Sequence, residues 1–167
     1  MRILFLSDGW TVALCFVIWP VLQVSAALIC LKIPDRLLRP QSILFRTYHF
    51  EKDGSIYDRI FHVSRWKRLL PDGGRVLDKK GFSKKHLEKI SEEILNRFLV
   101  ESARGELTHW LGIFPFWVFG FITSAPVIWY MLIYALLVNL PCIIAQRYNR
   151  PRVQKLLDKI KSRVKEV

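Results

Sequence analysis

The stretch from Leu107 to Ala145 limits what this chain can fold into more than any other. It is 39 residues long, and its only side chain able to charge near neutral pH is His109. As helix it would rise roughly 58 Å at ~1.5 Å per residue, close to two crossings of a ~30 Å hydrocarbon core. Thr-Ser-Ala-Pro126 is the natural place to turn, so the pattern predicts spans at 107–123 and 126–145 with a very short loop between them. A second block, Trp10 to Leu31, also lacks charge and predicts a first span at 10–31, kinked at Pro20. A cleaved signal peptide is the alternative for that block. It fits less well, because only Arg2 supplies positive charge ahead of the run and the run is long for a leader.

Apolar residues make up 51% of the chain, yet it carries 26 Lys+Arg against 14 Asp+Glu. A soluble domain of this length would spread its apolar residues periodically; blocks of them point to an all-α membrane protein with about three transmembrane helices, a single domain by length. A net charge of +12 raises the question of a nucleic-acid partner. No nucleic-acid fold motif is present, and the basic residues flank the apolar spans, where topology and anionic headgroups account for them. No nucleic-acid partner is expected. Region 32–106 holds 17 Lys+Arg and the tail 146–167 holds 8. Both should therefore be cytoplasmic, with the N-terminus outside. Cys15, Cys30 and Cys142 lie in apolar segments without metal-ligand spacing or a disulfide framework.

Region 32–106 reads as a mainly helical insertion with short extended and turn segments. Ser42 to Phe50 looks extended, Glu51-Lys-Asp-Gly54 looks like a turn, and Ile56, Tyr57, Ile60 and Phe61 give a short amphipathic helix. A turn-rich loop, Leu70-Pro-Asp-Gly-Gly74, follows. Ser83 is a plausible N-cap for a long helix whose stripe is Leu87, Ile90, Ile94 and Phe98. The tail has its own stripe at Val153, Leu156, Leu157, Ile160 and Val164, opposite Lys155, Lys159, Lys161 and Arg163. It reads as a helix lying on an anionic leaflet, or alternatively as one packed on the domain.

Ionisable groups cluster where the long apolar run begins. In Glu101-Ser-Ala-Arg-Gly-Glu-Leu-Thr-His-Trp110, Glu101 and Arg104 are one helical turn apart, as are Glu106 and His109. Glu106 could hold the His109 imidazole in one tautomer, which is what a general base for a hydroxyl needs. Trp110 would sit at headgroup level. The same residues could instead form an interfacial charge network that only anchors the helix. Glu-x-x-His also occurs in di-iron bundles, but there it comes in pairs; His49-Phe-Glu51 could add ligands across space. No metal is expected. The second constellation is Gln146-Arg-Tyr-Asn-Arg-Pro-Arg152. Arg147, Arg150 and Arg152 can grip phosphate or carboxylate bidentately, and Gln146, Tyr148 and Asn149 among them exceed what a simple basic collar needs. Asn139 lies within the last span and is costly there unless partnered. No serine elbow, P-loop, dinucleotide fingerprint or His-Asp acyltransferase pair is present, and Gly73-Gly74 lacks the context of a phosphate loop.

Six blocks of the chain, in order, carry a resemblance: Ile33-Pro-Asp35; Phe50-Glu51 with Gly54; Trp66-Lys67; Leu70-Pro-Asp-Gly73; Arg104-Gly-Glu-Leu-Thr-His-Trp110; and Gln146 to Arg152. Together they resemble the glycosyl-4,4'-diaponeurosporenoate acyltransferase family, small membrane enzymes of staphyloxanthin-type carotenoid synthesis in Gram-positive bacteria. Gly105 departs from the Ala of that pattern and would loosen the helix. The resemblance implies a multi-pass protein of a bacterial cell membrane that moves a fatty acyl group to a sugar hydroxyl of a glycosylated terpenoid or other glycolipid. No resident cofactor is implied; the acyl donor, coenzyme A being one candidate, is a substrate. On chemical grounds His109, oriented by Glu106, would act as base, with Glu101 beside it. Arg104 and the Gln146 to Arg152 block would hold donor phosphates or stabilise the oxyanion, and Trp66, Lys67 and Glu51 would close the cytoplasmic side. Both basic constellations are expected to open on one site. A non-catalytic lipid-binding or scaffolding protein is the rival reading, and a metal-dependent lipid-modifying enzyme a second.

Overall fold

The computed structural model describes residues 3–70 and 91–165. The loop after Leu70, the Ser83 cap, Leu87 and Ile90 lie outside them. The elements are helices α1 (Asp8–Leu31), α2 (Ser55–Phe61), α3 (Val63–Trp66), α4 (Glu92–Ile113) and α5 (Ala125–Lys165), with 3-10 segments at Asp35–Leu37, His49–Gly54, Lys67–Leu69 and Phe114–Phe121. No strand occurs among the described residues, so the all-α class holds. Ser42–Phe50 is where the local pattern misleads. Instead of extending, it folds into successive turns closed by Phe45 N–H to Ser42 O (3.0 Å) and Arg46 N–H to Ser42 O (2.8 Å). Its β-branched and aromatic content expresses side-chain packing, not strand pairing.

The chain divides into two compact units, Met1–Pro34 with Arg104–Ile143, and Asp35–Ala103 with Ile144–Val167. The first unit is built from three passes. α1 makes one. Residues 104–121 make the second, antiparallel to it: Arg104 bonds the carbonyls of Cys30 and Ile33, while the N–H groups of Ile3 and Leu4 reach Phe121 O at 2.7 and 3.1 Å. The first half of α5 makes the third. Trp19, Ile113, Phe119, Ile122, Ala135 and Ile143 form the core between them. Trp19 packs on Phe119 at 5.8 Å and edge-on to Tyr134 at 5.1 Å.

Among the described residues, two helices are long and apolar enough to cross a membrane, Asp8–Leu31 and the apolar part of α5, with mean hydropathies of 2.3 and 2.2. The core helix of a soluble protein would bury most of such a surface. Here only 17% and 22% of the apolar windows are buried, and Phe16, Val21, Leu28, Trp129, Ile133 and Leu137 lie exposed. The expected span at 107–123 is not one helix. α4 stops at Ile113, and Phe114–Phe121 continues as 3-10 with Pro115 at non-helical angles (φ −79, ψ 16). Proline lacks the N–H that would bond back to Leu111, and its ring crowds that carbonyl. Gly105, by contrast, leaves α4 unbroken.

In the second unit, Leu95 and Leu99 of α4 are buried with Val153 and Leu157 of α5, flanked by Phe98, Leu156 and Ile160. This corrects two expectations. The stripe on α4 is centred on Leu95 and Leu99, while Ile94 is 49% exposed. The tail is no separate surface helix: α5 runs unbroken from Ala125 to Lys165, and its apolar stripe packs on α4 instead of a leaflet. Glu51–Gly54 does turn, with Lys52 and Asp53 left-handed and Gly54 at φ +80. At Gly54 a Cβ would fall 2.9 Å from Tyr148 O and 3.1 Å from Pro151 Cγ, so two constraints require glycine there.

Candidate active site

In the first unit the site begins with Asn139, 1% exposed in α5. Its side-chain Nδ2 donates to Ala135 O one turn back (2.9 Å). That bond fixes the amide, because only its nitrogen can donate to a carbonyl. Oδ1 must then be the atom facing outward, and it lies 2.9 Å from His109 Nδ1. An amide oxygen only accepts, so Nδ1 carries the proton and Nε2 presents its lone pair. Asn139, thirty positions away in sequence, thus contacts the His109 ring. Glu106 is fully buried (0% exposed) one turn before His109, and its Oε1 accepts a 3.4 Å bond from Trp110 Nε1.

Gln23 of α1 joins this centre, and the sequence reading did not include it. Its Nε2 donates to Gly112 O (3.2 Å), a carbonyl in the last turn of α4 that the helix itself leaves unsatisfied. A Cβ on Gly112 would fall 2.5 Å from Gln23 Oε1 and 3.1 Å from Asn139 Oδ1. Gln23, Asn139 and α4 therefore meet at one glycine, in a unit whose core is otherwise apolar. An uncharged polar residue in a long apolar helix was the signal available for Gln23.

Arg104 is 9% exposed. Its Nη1 donates to Cys30 O (2.6 Å), in the last turn of α1, and to Ile33 O (2.8 Å), just past its C-cap. That helix has no basic residue in its own last turn, so Arg104 supplies the cation its C-terminus favours. Arg104 clamps α1 to α4, a positioning role. Glu101 belongs to the second unit and is exposed.

The second unit gathers most of the other candidates around Glu51, 1% exposed. Its carboxylate accepts from Tyr57 Oη, from Tyr48 N–H (2.6 Å) and from Arg147 Nη1 (3.1 Å); Arg147 Nη2 also bonds Leu44 O (2.7 Å). Arg150 is buried and holds Phe45 O (2.8 Å) and Ser102 O (3.0 Å). Lys67 Nζ bonds Asn149 Oδ1 (2.9 Å). The Tyr148 ring lies under two cations, Lys67 at 5.1 Å and Arg152 at 3.6 Å from its centroid. Gln146 is buried beside them in α5, and Trp66 Nε1 caps Phe61 O (2.6 Å). Glu51, Lys67 and the arginine block, separated by up to a hundred positions, are thus brought together. The two constellations, Glu106–His109 and Gln146–Arg152, belong to different units. Among the described residues, no three His, Cys, Asp or Glu side chains converge as a metal would require.

The chain is similar to known proteins. Residues 40–159 match the family described as glycosyl-4,4'-diaponeurosporenoate acyltransferase. A Staphylococcus aureus (strain MRSA252) protein of that name is 34% identical over 154 residues, 92% of each chain. Its counterpart in strain N315 is 35% identical over the same share. No solved structure matches. Matched across most of its length, the chain belongs to the glycosyl-4,4'-diaponeurosporenoate acyltransferase family and is an acyltransferase.

Proposed function

We propose that the chain is an integral-membrane O-acyltransferase that moves a fatty acyl group onto a sugar hydroxyl of a glycosylated terpenoid, carotenoid or related glycolipid. The observation that carries this reading is the Asn139–His109 contact (2.9 Å) with Asn139 fixed by Ala135 O. It leaves His109 Nε2 as a proton acceptor in a half-buried, largely apolar setting. In the reaction, Nε2 takes the proton of the sugar hydroxyl as that oxygen attacks the thioester carbonyl of an acyl donor. A C–O bond forms and the carbonyl becomes an oxyanion. Collapse breaks the C–S bond, and the thiolate leaves with the proton from the imidazolium. The Glu106 carboxylate, one turn away, offsets the charge the ring gains.

Acyl-coenzyme A is the donor that suits a basic, cytoplasmic face. The cations that share the Tyr148 ring, half-buried Lys67 and exposed Arg152, are the proposed phosphate contacts. Glu51, Arg147 and Arg150 hold that surface in shape, with Asn149, Gln146 and Trp66 at its edge. The bilayer itself is the other partner: α1, the 104–121 pass and the first half of α5 span it, region 32–106 and the tail face the cytoplasm, and the N-terminus lies outside.

Purified protein given labelled acyl-coenzyme A and a glycosylated terpenoid should yield an acylated sugar. His109→Ala should lower the rate by roughly 10²–10⁴-fold, the usual contribution of a general base. Asn139→Leu should lower it about tenfold or more, and Asn139→Asp, which still accepts from Nδ1–H, should recover part of the loss. Full transfer by folded His109→Ala protein would refute the assignment.

A further inference from the structure

In the second unit, residues 43–50 are tied to the part of α5 that follows its apolar stretch. That stretch ends at Ala145. Two residues on, Arg147 Nη2 donates to Leu44 O (2.7 Å), and a turn further Arg150 Nη1 donates to Phe45 O (2.8 Å). Phe45 is buried at 3% exposure, while Ile43, Leu44 and Phe50 are 72, 67 and 64% exposed. Tyr48 makes one patch of these exposed side chains. Its Oη donates to Ile43 O (2.5 Å), its ring stacks on Phe50 at 5.8 Å, and the exposed Arg46 guanidinium lies 4.9 Å from the ring centroid. Arg39, also exposed, opens the turn that Ser42 N–H closes on its carbonyl (3.0 Å). The carboxylates that follow are already matched: Glu51 is buried against Arg147 (3.1 Å), and Asp53 pairs with Lys155 (2.5 Å).

We propose that residues 39–50 form a docking surface for anionic phospholipid, in which Ile43, Leu44 and Phe50 enter the cytoplasmic leaflet beside α5 and Arg39 and Arg46 take headgroup phosphates. The inference rests on the reading that α5 crosses the bilayer, and adds to it a place where the second unit meets lipid. Level and charge name the occupant. At ~1.5 Å per residue, Arg147 stands about 3 Å beyond Ala145 along α5, within the ~5–7 Å headgroup layer on each side of the hydrocarbon core. The Leu44 carbonyl, bonded to that guanidinium, is held at headgroup level, and the exposed side chains of Ile43 and Leu44 have hydrocarbon within reach. Arg46 on the Tyr48 and Phe50 rings is what an interface favours, with apolar rings below and a guanidinium at the phosphates. A second copy of the chain fits this patch less well. A two-fold contact through it sets Arg39 and Arg46 against their own counterparts, with no free acid in the patch between them.

Fluorescence quenching in the full-length protein tests this. Single cysteines at Leu44 and Phe50 carry a bimane label in a background with Cys15, Cys30 and Cys142 replaced. Leu137, on the apolar half of α5, and Ser162, near its end, are labelled as references. The protein is reconstituted in vesicles of phosphatidylcholine and phosphatidylglycerol, one of the two brominated on its acyl chains. Labels at 44 and 50 should be blue-shifted and quenched as at 137, with 162 unquenched. Brominated phosphatidylglycerol should quench positions 44 and 50 about threefold or more strongly than brominated phosphatidylcholine at the same mole fraction. Arg39→Gln together with Arg46→Gln should abolish that preference and leave quenching at 137 unchanged. Labels at 44 and 50 that behave as at 162, while 137 is quenched, would overturn the surface and leave the crossing by α5 standing. A blue shift without lipid quenching would mean that a second copy covers the patch, and equal quenching by the two lipids would mean that charge selects nothing; either result overturns the proposal. An unquenched label at 137 would refute the crossing itself, and this surface with it.

Discussion

Gly112 is constrained by its neighbours, not by its backbone. It sits in ordinary helix, yet a Cβ there would lie 2.5 Å from Gln23 Oε1 and 3.1 Å from Asn139 Oδ1. The first contact is with a flexible side-chain tip and can yield; the second presses on the group that sets the His109 tautomer. Gly112→Ala should therefore fold, since alanine favours helix by ~1 kcal/mol over glycine, but lose activity about tenfold. Stability and rate measured on the same preparation check this, and unchanged turnover would remove Gly112 and Gln23 from the site. At this scale the sequence was partly legible. Charged residues beside an apolar run marked His109 and Glu106 at once. The Asn139 contact joins residues thirty apart on different helices, and no helical spacing rule reaches that far. Asn139 was visible only as a polar residue needing a partner, and Gln23 was overlooked although the same reasoning applied to it.

Elements in the second unit are joined by a few specific contacts, two of which give measurable consequences. Asp58 Oδ1 accepts from Ser64 N–H at 2.8 Å, which ties α2 to the first turn of α3. That bond, reinforced by the Ser64 side chain and by the charges of Arg152 and His62, holds the Asp58 carboxyl below its ordinary value of 3.8. A lowered carboxyl pKa contributes stability above the ordinary value and loses it as pH falls through the lowered one. The Ser64 amide signal followed by NMR should thus shift only at acid pH below that range, and Asp58→Asn should abolish the shift. The tail gives the larger effect. Leu157 is 2% exposed against Leu95 and Leu99, so Leu157→Ala should cost roughly 2–5 kcal/mol, read by thermal unfolding. A tail that only rested on lipid would lose membrane affinity and keep its melting temperature. Periodicity had correctly found the apolar face of this helix. It could not say what covers the face, because leaflet and partner helix make the same demand on sequence. Pro115 is the opposite case: the breaker stands in the sequence, inside an apolar run long enough to suggest an unbroken span.

At the scale of the whole molecule, the question is how many times the chain crosses the bilayer. Among the described residues two helices satisfy the length and hydropathy criterion, which by itself would put the chain ends on the same side, and region 32–106 and the tail on opposite sides. The proposed third crossing, by residues 104–121, is one that no helix criterion detects. Arg104 sits at the C-terminal end of α1 and Phe121 at Ile3 and Leu4, so residues 104–121 traverse the length of α1 although only 104–113 are α-helical. The 3-10 part rises ~2 Å per residue against ~1.5 Å, so eight residues of it cover about 16 Å and make up the depth that the shortened α4 lacks. Backbone of this kind is tolerated at membrane depth when its polar groups are bonded within the protein, as Thr123 Oγ1 to Phe119 O (2.7 Å) and Ile122 N–H to Phe119 O (3.1 Å) illustrate at its end. Single cysteines at Ser7, Ser124 and Arg36, in a background with Cys15, Cys30 and Cys142 replaced, separate the alternatives. Three crossings place Ser7 and Ser124 outside, open to an impermeant maleimide in intact cells, and Arg36 inside, labelled only after permeabilisation. Protection of Ser124 together with labelling of Ser7 would mean that residues 104–121 do not cross, and His109 would then have to be reached from within a two-span protein.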